Sequence, residues 1–399
     1  MLRSARFLRA SAISPQVFFE ALQRRQFSAF FGVPDSLLKD LCAYITDNVD
    51  PTRHVITANE GNAVAMAAGF HLATSQVPVV YMQNSGFGNT LNPLLSLTHR
   101  EVYKIPALML IGWRGDPDGK PDEPQHVAQG RLMKECLAAA EVPSFVLDRN
   151  APIEATLDAA VHHFSTAGTP FALLIKRDTF DTYKLKQAAS SKTGDLTLTR
   201  EHAINVILSA LGPNDVVVST TGMPSREVFE IRASQKAGHH RDFLTVGAMG
   251  HCSSIAAGIA LARPDRRVFC LDGDGGALMH LGALAVHGGL HARSPSSLNN
   301  LKHIILNNGA HDSVGGQPTV GHEISLSKVA EACGYKVLPV CRSEDELKRG
   351  ASQLLATSGP VCLEVLVKKG NRSNLGRPTT TPVQNKLDLQ NHIRGSSHL

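Results

Sequence analysis

Short apolar runs, rich in β-branched residues and nearly unbroken by polar ones, recur along the chain and alternate with helix-length amphipathic segments. They fall at 79–82, 107–111, 145–147 and 171–175, then at 216–219, 243–246, 268–271, 303–306, 337–340 and 361–367. A strand with one face in water alternates apolar with polar residues. A strand that is apolar throughout has both faces covered, as in a parallel sheet flanked by helices. The pattern therefore predicts an α/β fold built on mainly parallel sheets. The 399 residues are too many for one ordinary domain and suit two. The polar stretch 184–198 separates the two sets of runs and reads as an interdomain linker. The expected layout is a possible targeting segment 1–12, a first domain 13–183, the linker, a second domain 199–369 and a polar tail 370–399. Thr199 is placed to cap the first helix of the second domain.

Composition narrows the functional classes. Hydrophobic residues at 43% and charged residues at 19% give apolar material for two cores. The net charge of +5 is spread out, with no Lys/Arg block and no aromatic-basic interleaving, so nucleic acid is not an expected partner. No apolar run approaches the roughly 20 residues of a membrane span, so no membrane partner is expected either. Seven cysteines without a CxxC pair read as reduced thiols that serve packing.

The two ends carry possible addresses. Residues 1–12 hold Arg3, Arg6 and Arg9, and no acid precedes Glu20, a composition shared by a short mitochondrial presequence and a frayed basic terminus. Ser397, His398 and Leu399 differ from the Ser-Lys-Leu peroxisomal address at one position. Mitochondrial location is the first expectation, with cytoplasm or a peroxisome-like organelle as the alternative.

The chemistry-bearing pattern lies in the second domain. The run 268–271 leads into Asp272, Gly273, Asp274, Gly275 and Gly276, and the run 303–306 ends in Asn307, Asn308 and Gly309. Glycines let the backbone approach phosphate oxygens, and the following helix start offers unpaired N–H groups. Asp274 supplies one hard anionic oxygen and Asn308 a neutral one. Such a set, completed by phosphates and water, suits Mg²⁺. Alone, GDG is as well explained by an ordinary strand-turn-helix. GDG followed by Asn-Asn at the next strand end resembles the motif of thiamine-diphosphate enzymes. Here 31 residues separate Gly275 from Asn307. The excess is expected in 292–300 (ARSPSSLNN), looped out without moving the ligands.

That resemblance implies further assignments. The backbone carbonyl of Ala310 becomes the third protein ligand of Mg²⁺. Glu60, in Thr57-Ala58-Asn59-Glu60-Gly61, becomes the glutamate that hydrogen-bonds the cofactor's aminopyrimidine ring. Such a carboxyl must be protonated near neutral pH, hence buried with a raised pKa; the competing explanation is helix-start electrostatics. Gly247-Ala248-Met249-Gly250 is expected to begin a helix. Met249 would wedge the bent cofactor and Gly247 would accept its amino group, against a plain core role for Met249. Asn84 and Ser85, in Asn84-Ser85-Gly86-Phe87-Gly88, resemble a loop over the cofactor, against a plain glycine-rich turn.

Three segments narrow the resemblance: residues 31–36 (FGVPDS), 307–319 (NNGAHDSVGGQPT) and 376–382 (GRPTTTP). They are similar to the phosphonopyruvate decarboxylase family and its sulfopyruvate decarboxylase relatives, over about 14–382. The resemblance implies two thiamine-diphosphate-binding-fold domains with no middle domain. It also implies a site between the first domain of one chain and the second of its partner, in at least a homodimer. The implied reaction converts 3-phosphonopyruvate to phosphonoacetaldehyde and CO₂ in phosphonate biosynthesis. Alternatives are another acidic 2-oxo acid such as sulfopyruvate, a carboligase, or a non-enzymatic cofactor-binding protein. A phosphonate calls for cations and N–H donors; the candidates are Arg114, Lys120 and His126, with His311 as proton donor.

Overall fold

The apolar runs become strands because both of their faces are buried. The structure is a computed structural model that describes residues 11–186 and 196–395. The chain divides into two compact units, Met1–Ala189 and Ser190–Leu399. Residues 1–10 of the possible targeting segment, 187–195 of the expected linker and the terminal tripeptide 397–399 lie outside the described residues.

In the first unit six strands form one parallel sheet. They are β1 (Phe30–Gly32), β2 (His54–Ile56), β3 (Val79–Gln83), β4 (Leu108–Gly112), β5 (Ser144–Leu147) and β6 (Phe171–Ile175), ordered β2-β1-β3-β4-β6-β5. Alternate residues feed two cores. Val79, Tyr81, Leu108, Leu110 and Leu173 pack on one face. Val80, Met82, Met109, Ile111 and Leu174 pack on the other. Each fully buried Leu or Val contributes roughly 1.5–3 kcal/mol.

The second unit repeats the plan with β7 (Val216–Ser219), β8 (Asp242–Leu244), β9 (Val268–Gly273) and β10 (Leu301–Asn307). A two-stranded antiparallel ribbon follows, β11 (Ala310–His311) and β12 (Gln317–Pro318), and then β13 (Lys336–Val337) and β14 (Val361–Leu366). The parallel sheet is ordered β13-β14-β10-β9-β7-β8. Counted within each unit and leaving the ribbon aside, both sheets read 2-1-3-4-6-5. Val217, Phe269, Ile304 and Leu363 pack on one face, and Val218, Cys270, Ile305 and Cys362 on the other. All seven cysteines are free thiols, five of them buried. No helix of the described residues is long and apolar enough to cross a membrane.

Several local expectations are met and several corrected. Thr199 caps helix Arg200–Ala210 by accepting a hydrogen bond from the His202 N–H. The run expected at 337–340 is a strand only at Lys336–Val337, because Pro339 has no N–H to donate. The run expected at 243–246 ends at Leu244, and Gly247–Gly250 is a turn rather than a helix start. Ala248 (φ 53°) and Gly250 (φ 87°) are left-handed, and the helix begins at Cys252. Residues 294–300 form the expected turns between the helix ending at Arg293 and β10, but this loop is anchored at its end. Leu298 is buried in the core, and the Asn300 amide donates to the carbonyls of Ala260, Arg263 and Arg266 at 2.6–3.1 Å. The last helix, Pro382–Arg394, lies against β8. There the Asn385 side chain accepts from the Leu244 N–H (3.0 Å) and donates to the Asp242 carbonyl (2.8 Å).

Candidate functional site

Strand order 2-1-3-4-6-5 reverses direction between its first and third strands, where α/β sheets place ligands. In the second unit these are β7 and β9. A cleft opens there, lined among others by Thr220, Thr221, Met249, Gly273, Asp274 and Gly275, with Asn308, Ala310 and His311 from beyond β10.

The glycines shape its floor. A Cβ on Gly273 would meet nothing within 4 Å, so this backbone faces open space. A Cβ on Gly275 would lie 2.9 Å from the His311 ring, and one on Gly276 would lie 2.6 Å from Asp272 Oδ1. Asp272 itself is fully buried. Its Oδ1 accepts the Gly273 N–H at 2.9 Å, and its Oδ2 lies 3.4 Å from His303 Nε2. This holds the turn from below.

Two asparagines at the end of β10 do different work. Asn307 is buried structure: its amide donates to the Gly321 carbonyl and to Glu364 Oε1, and its Oδ1 accepts the Gly309 N–H. Gly309 then turns the chain at φ 64°, under His322, which only glycine fits. The ribbon β11–β12 follows and returns Thr319, whose hydroxyl donates to Asp274 Oδ2. Asn308 lines the cleft; its N–H reaches Asp274 Oδ1 at 3.4 Å.

Asp274 is 2% exposed. Burial lifts its pKa to about 6 despite the Thr319 hydroxyl and Asn308 N–H that favour the anion. Among the described residues no Lys, Arg or His is paired with it. A buried carboxylate with only neutral donors is costly unless a cation joins it. The set available (carboxylate, side-chain carbonyl, backbone carbonyl) is all hard oxygen, so the residues fit Mg²⁺ with a diphosphate over the open Gly273 backbone. Burial pushes His311 down to about 4, so its ring is neutral at pH 7. Met249 reaches within 3.3 Å of a Cβ position on Gly275.

In the first unit Glu60 opens helix Glu60–Thr74, behind the cap Asn59, whose Oδ1 accepts the Asn62 N–H at 3.0 Å. Its side chain is buried instead of solvated at the helix start. Glu60 Oε2 accepts from Asn89 Nδ2 at 2.7 Å, and a Cβ on Gly86 would stand 2.0 Å from Oε1. The loop 84–89 therefore makes room for Glu60. Its own polar groups have protein partners. The Asn84 amide donates to the Arg114 carbonyl (2.8 Å) and accepts its N–H (3.1 Å), and Ser85 Oγ donates to Gln83.

The expected phosphonate ligands differ in state. Arg114 forms a two-pronged pair with Asp122 and donates to Ser36 Oγ, so its charge is balanced. His126 is buried, and burial lowers its pKa. Lys120 is exposed. Residues that motif reasoning missed are Arg200, Thr220, Thr319 and Asp312 around the cleft, and Asn89 on Glu60. Thr319 and Asp312 lie within the quoted stretch 307–319, whereas Arg200 sits in no motif.

Comparison with known proteins agrees with this geometry. Residues 15–136 match the family described as thiamine pyrophosphate enzyme, N-terminal TPP binding domain, and residues 220–365 match the corresponding C-terminal TPP binding domain. The chain is 36% identical over 367 residues to the phosphonopyruvate decarboxylase of Streptomyces viridochromogenes, covering 88% of each chain. It is also 36% identical to that of Streptomyces hygroscopicus, covering 88% of this chain and 86% of the other. Sulfopyruvate decarboxylase subunit beta of Methanothermobacter thermautotrophicus is 40% identical over 176 residues, 44% of this chain and 85% of that one.

Proposed function

This chain belongs to the phosphonopyruvate decarboxylase family of thiamine-diphosphate enzymes, and on that premise we propose that it converts 3-phosphonopyruvate to phosphonoacetaldehyde and CO₂. The observation that carries the substrate is the 36% identity sustained across 88% of both chains.

Bound in the second unit, thiamine diphosphate supplies the nucleophilic carbon and the electron sink that losing CO₂ from a 2-oxo acid requires. The chain's residues do the rest. The Asp274 carboxylate, the Asn308 side-chain carbonyl and the Ala310 backbone carbonyl would hold Mg²⁺. Gly273, Gly275 and Gly276 keep the backbone low enough for the diphosphate. Met249 would brace the cofactor and the Gly247 carbonyl would accept its amino group. Glu60 would hydrogen-bond the cofactor's aminopyrimidine ring. Asn89 already donates to Oε2, which leaves Oε1, above Gly86, for that contact. His311 would be placed to donate the proton that the product carbon takes up. Lys120 contributes an exposed cation to the phosphonate, beside Arg114 and His126.

A steady-state comparison of phosphonopyruvate, sulfopyruvate and pyruvate tests the assignment. The highest kcat/KM is expected for phosphonopyruvate. A preference for sulfopyruvate would move the chain to the alternative that the methanogen relative favours, and a preference for pyruvate would defeat both. Acyloin products on adding an aldehyde would mark a carboligase.

We further propose a homodimer or larger homo-oligomer. Helix Glu60–Thr74 and the adjoining segment 87–98 expose Met66, Leu72, Leu91 and Leu95, with Leu72 70% exposed. Apolar surface in such concentration marks protein contacts. Light scattering that gave an active monomer would contradict this. For location we propose mitochondrial import through 1–12, with the terminal tripeptide as the competing address; fluorescent fusions at each end decide.

A further inference from the structure

A side-chain amide binds a metal through oxygen only, so a ligand asparagine must be held the right way round. Asn308 is held by Asp312. Asn308 Nδ2 donates to Asp312 Oδ2 at 2.7 Å, while Oδ1 stands on the opposite end of the amide and accepts the Ala310 N–H at 3.0 Å. Oδ1 keeps a second lone pair for a cation. Were the amide reversed, its oxygen would face the Asp312 carboxylate, and an N–H would face the Ala310 N–H.

Asp312 is itself fixed. The same Oδ2 accepts from Arg200 Nη1 at 3.1 Å and from the Gly370 N–H at 2.9 Å. Arg200 is 4% exposed and grips Glu227 with its other two nitrogens at 2.8 and 3.0 Å. Bridging Glu227 and Asp312, the rigid guanidinium holds the Asp312 carboxylate in place. Asp312 is only 11% exposed at its side chain and lines the same cleft as Asp274 and Asn308.

We propose that Asp312 is a positioning residue that sets which end of the Asn308 amide faces the metal, with Arg200 as its anchor. Its contact is with the ligand, not the substrate. The inference rests on Asn308 being a Mg²⁺ ligand. Residues that orient metal ligands in this way typically change metal affinity 10–100-fold when replaced.

The test measures Mn²⁺ bound in the presence of thiamine diphosphate, from the loss of the free-ion EPR signal. It compares the wild type with Asp312→Asn, Asp312→Ala and Asp274→Asn. Both Asp312 variants are expected to bind Mn²⁺ about 10–100-fold more weakly. The metal-free proteins should keep the wild-type circular dichroism. In turnover assays the Mg²⁺ concentration for half-maximal rate should rise while kcat at saturating Mg²⁺ stays near wild type, a split that general unfolding would not produce. If both Asp312 variants bind within twofold of wild type while Asp274→Asn has lost binding, the inference is wrong and the metal site stands. If Asp274→Asn also binds normally, the metal site itself is misplaced.

Discussion

Both units carry the same strand order, yet their equivalent crevices have opposite contents. In the second unit the reversal between β7 and β9 is open, floored by glycine and edged by a carboxylate without a cation. In the first unit the corresponding ends of β1 and β3 are filled by the protein. Asp35, fully buried, accepts from Gln83 Nε2 at 2.6 Å and from the Leu37 N–H, and a Cβ on Gly112 would collide with it. The first unit's chemistry sits elsewhere, at the helix start after β2, where Glu60 lies under Gly86. One topology thus supports two kinds of work. The open crevice can hold an anion and its metal, while the closed one stiffens a base for a single buried acid. Fold alone locates a ligand only where the sequence leaves the crevice unfilled.

Exchanging the carboxylates' charge in each unit is the strongest way to test this division. Glu60→Gln should lower kcat by about 10²–10⁴-fold, the usual worth of a positioned proton-transfer group. Its thermal stabilisation by thiamine diphosphate and Mg²⁺ should remain. Asp274→Asn should lose that stabilisation. If Glu60→Gln turned over at the wild-type rate, the first unit would have no chemical role at Glu60.

Each unit also offers an ion pair for comparison, one buried and one exposed. Arg232 and Asp242 in the second unit are 1% and 0% exposed, whereas Arg25 in the first unit pairs with the exposed Glu154 and Asp158. Arg232→Met leaves a buried carboxylate unpaired and should cost about 3–5 kcal/mol in urea unfolding. Arg25→Ala should cost about 1 kcal/mol or less. Equal losses would mean that burial does not distinguish the pairs.

A third contrast turns out to be a likeness. Each unit holds a tyrosine hydroxyl against a sequestered histidine: His54 with Tyr81 at 2.8 Å, and His287 with Tyr335 at 2.9 Å. Burial pushes both rings down to about 4 from 6.5. Their folded values lie below the unfolded one, so neither affects stability above pH 6.5. As pH falls from 6.5 to 4 the unfolded chain takes up protons that the fold refuses, and stability drops. For the buried His287 the whole window is worth up to about 3 kcal/mol. His287→Gln in the cofactor-free protein should flatten the fall in unfolding free energy between pH 6.5 and 4. An unchanged slope would assign the acid sensitivity to other groups.

Legibility followed burial and locality. The strands buried on both faces declared themselves as unbroken apolar runs, and Phe171–Ile175 and Val216–Ser219 match to the residue. β1 and β2 did not, because three residues carry no period and β2 is half-buried. Asp274, Asn308 and Glu60 were legible because local turns hold them in recognisable strings. Arg200, Glu227 and Asp312 were not, since 27 and 112 residues separate the partners and nothing in either string records the other. Residues 292–300 were legible as turns but not as an anchor, for a related reason. Their turn-rich composition hides one leucine and one asparagine that pack inward.

Asn385 carries a consequence for solubility. β8 is the last strand of its sheet, and an uncovered edge offers a row of N–H and C=O groups to any other extended chain. Asn385 occupies one donor and one acceptor of that row with a side chain that cannot propagate a ladder. Helix Pro382–Arg394 is in this sense a guard against edge-to-edge self-association, and a fault in it would appear first as aggregation during refolding, before any loss of the cleft.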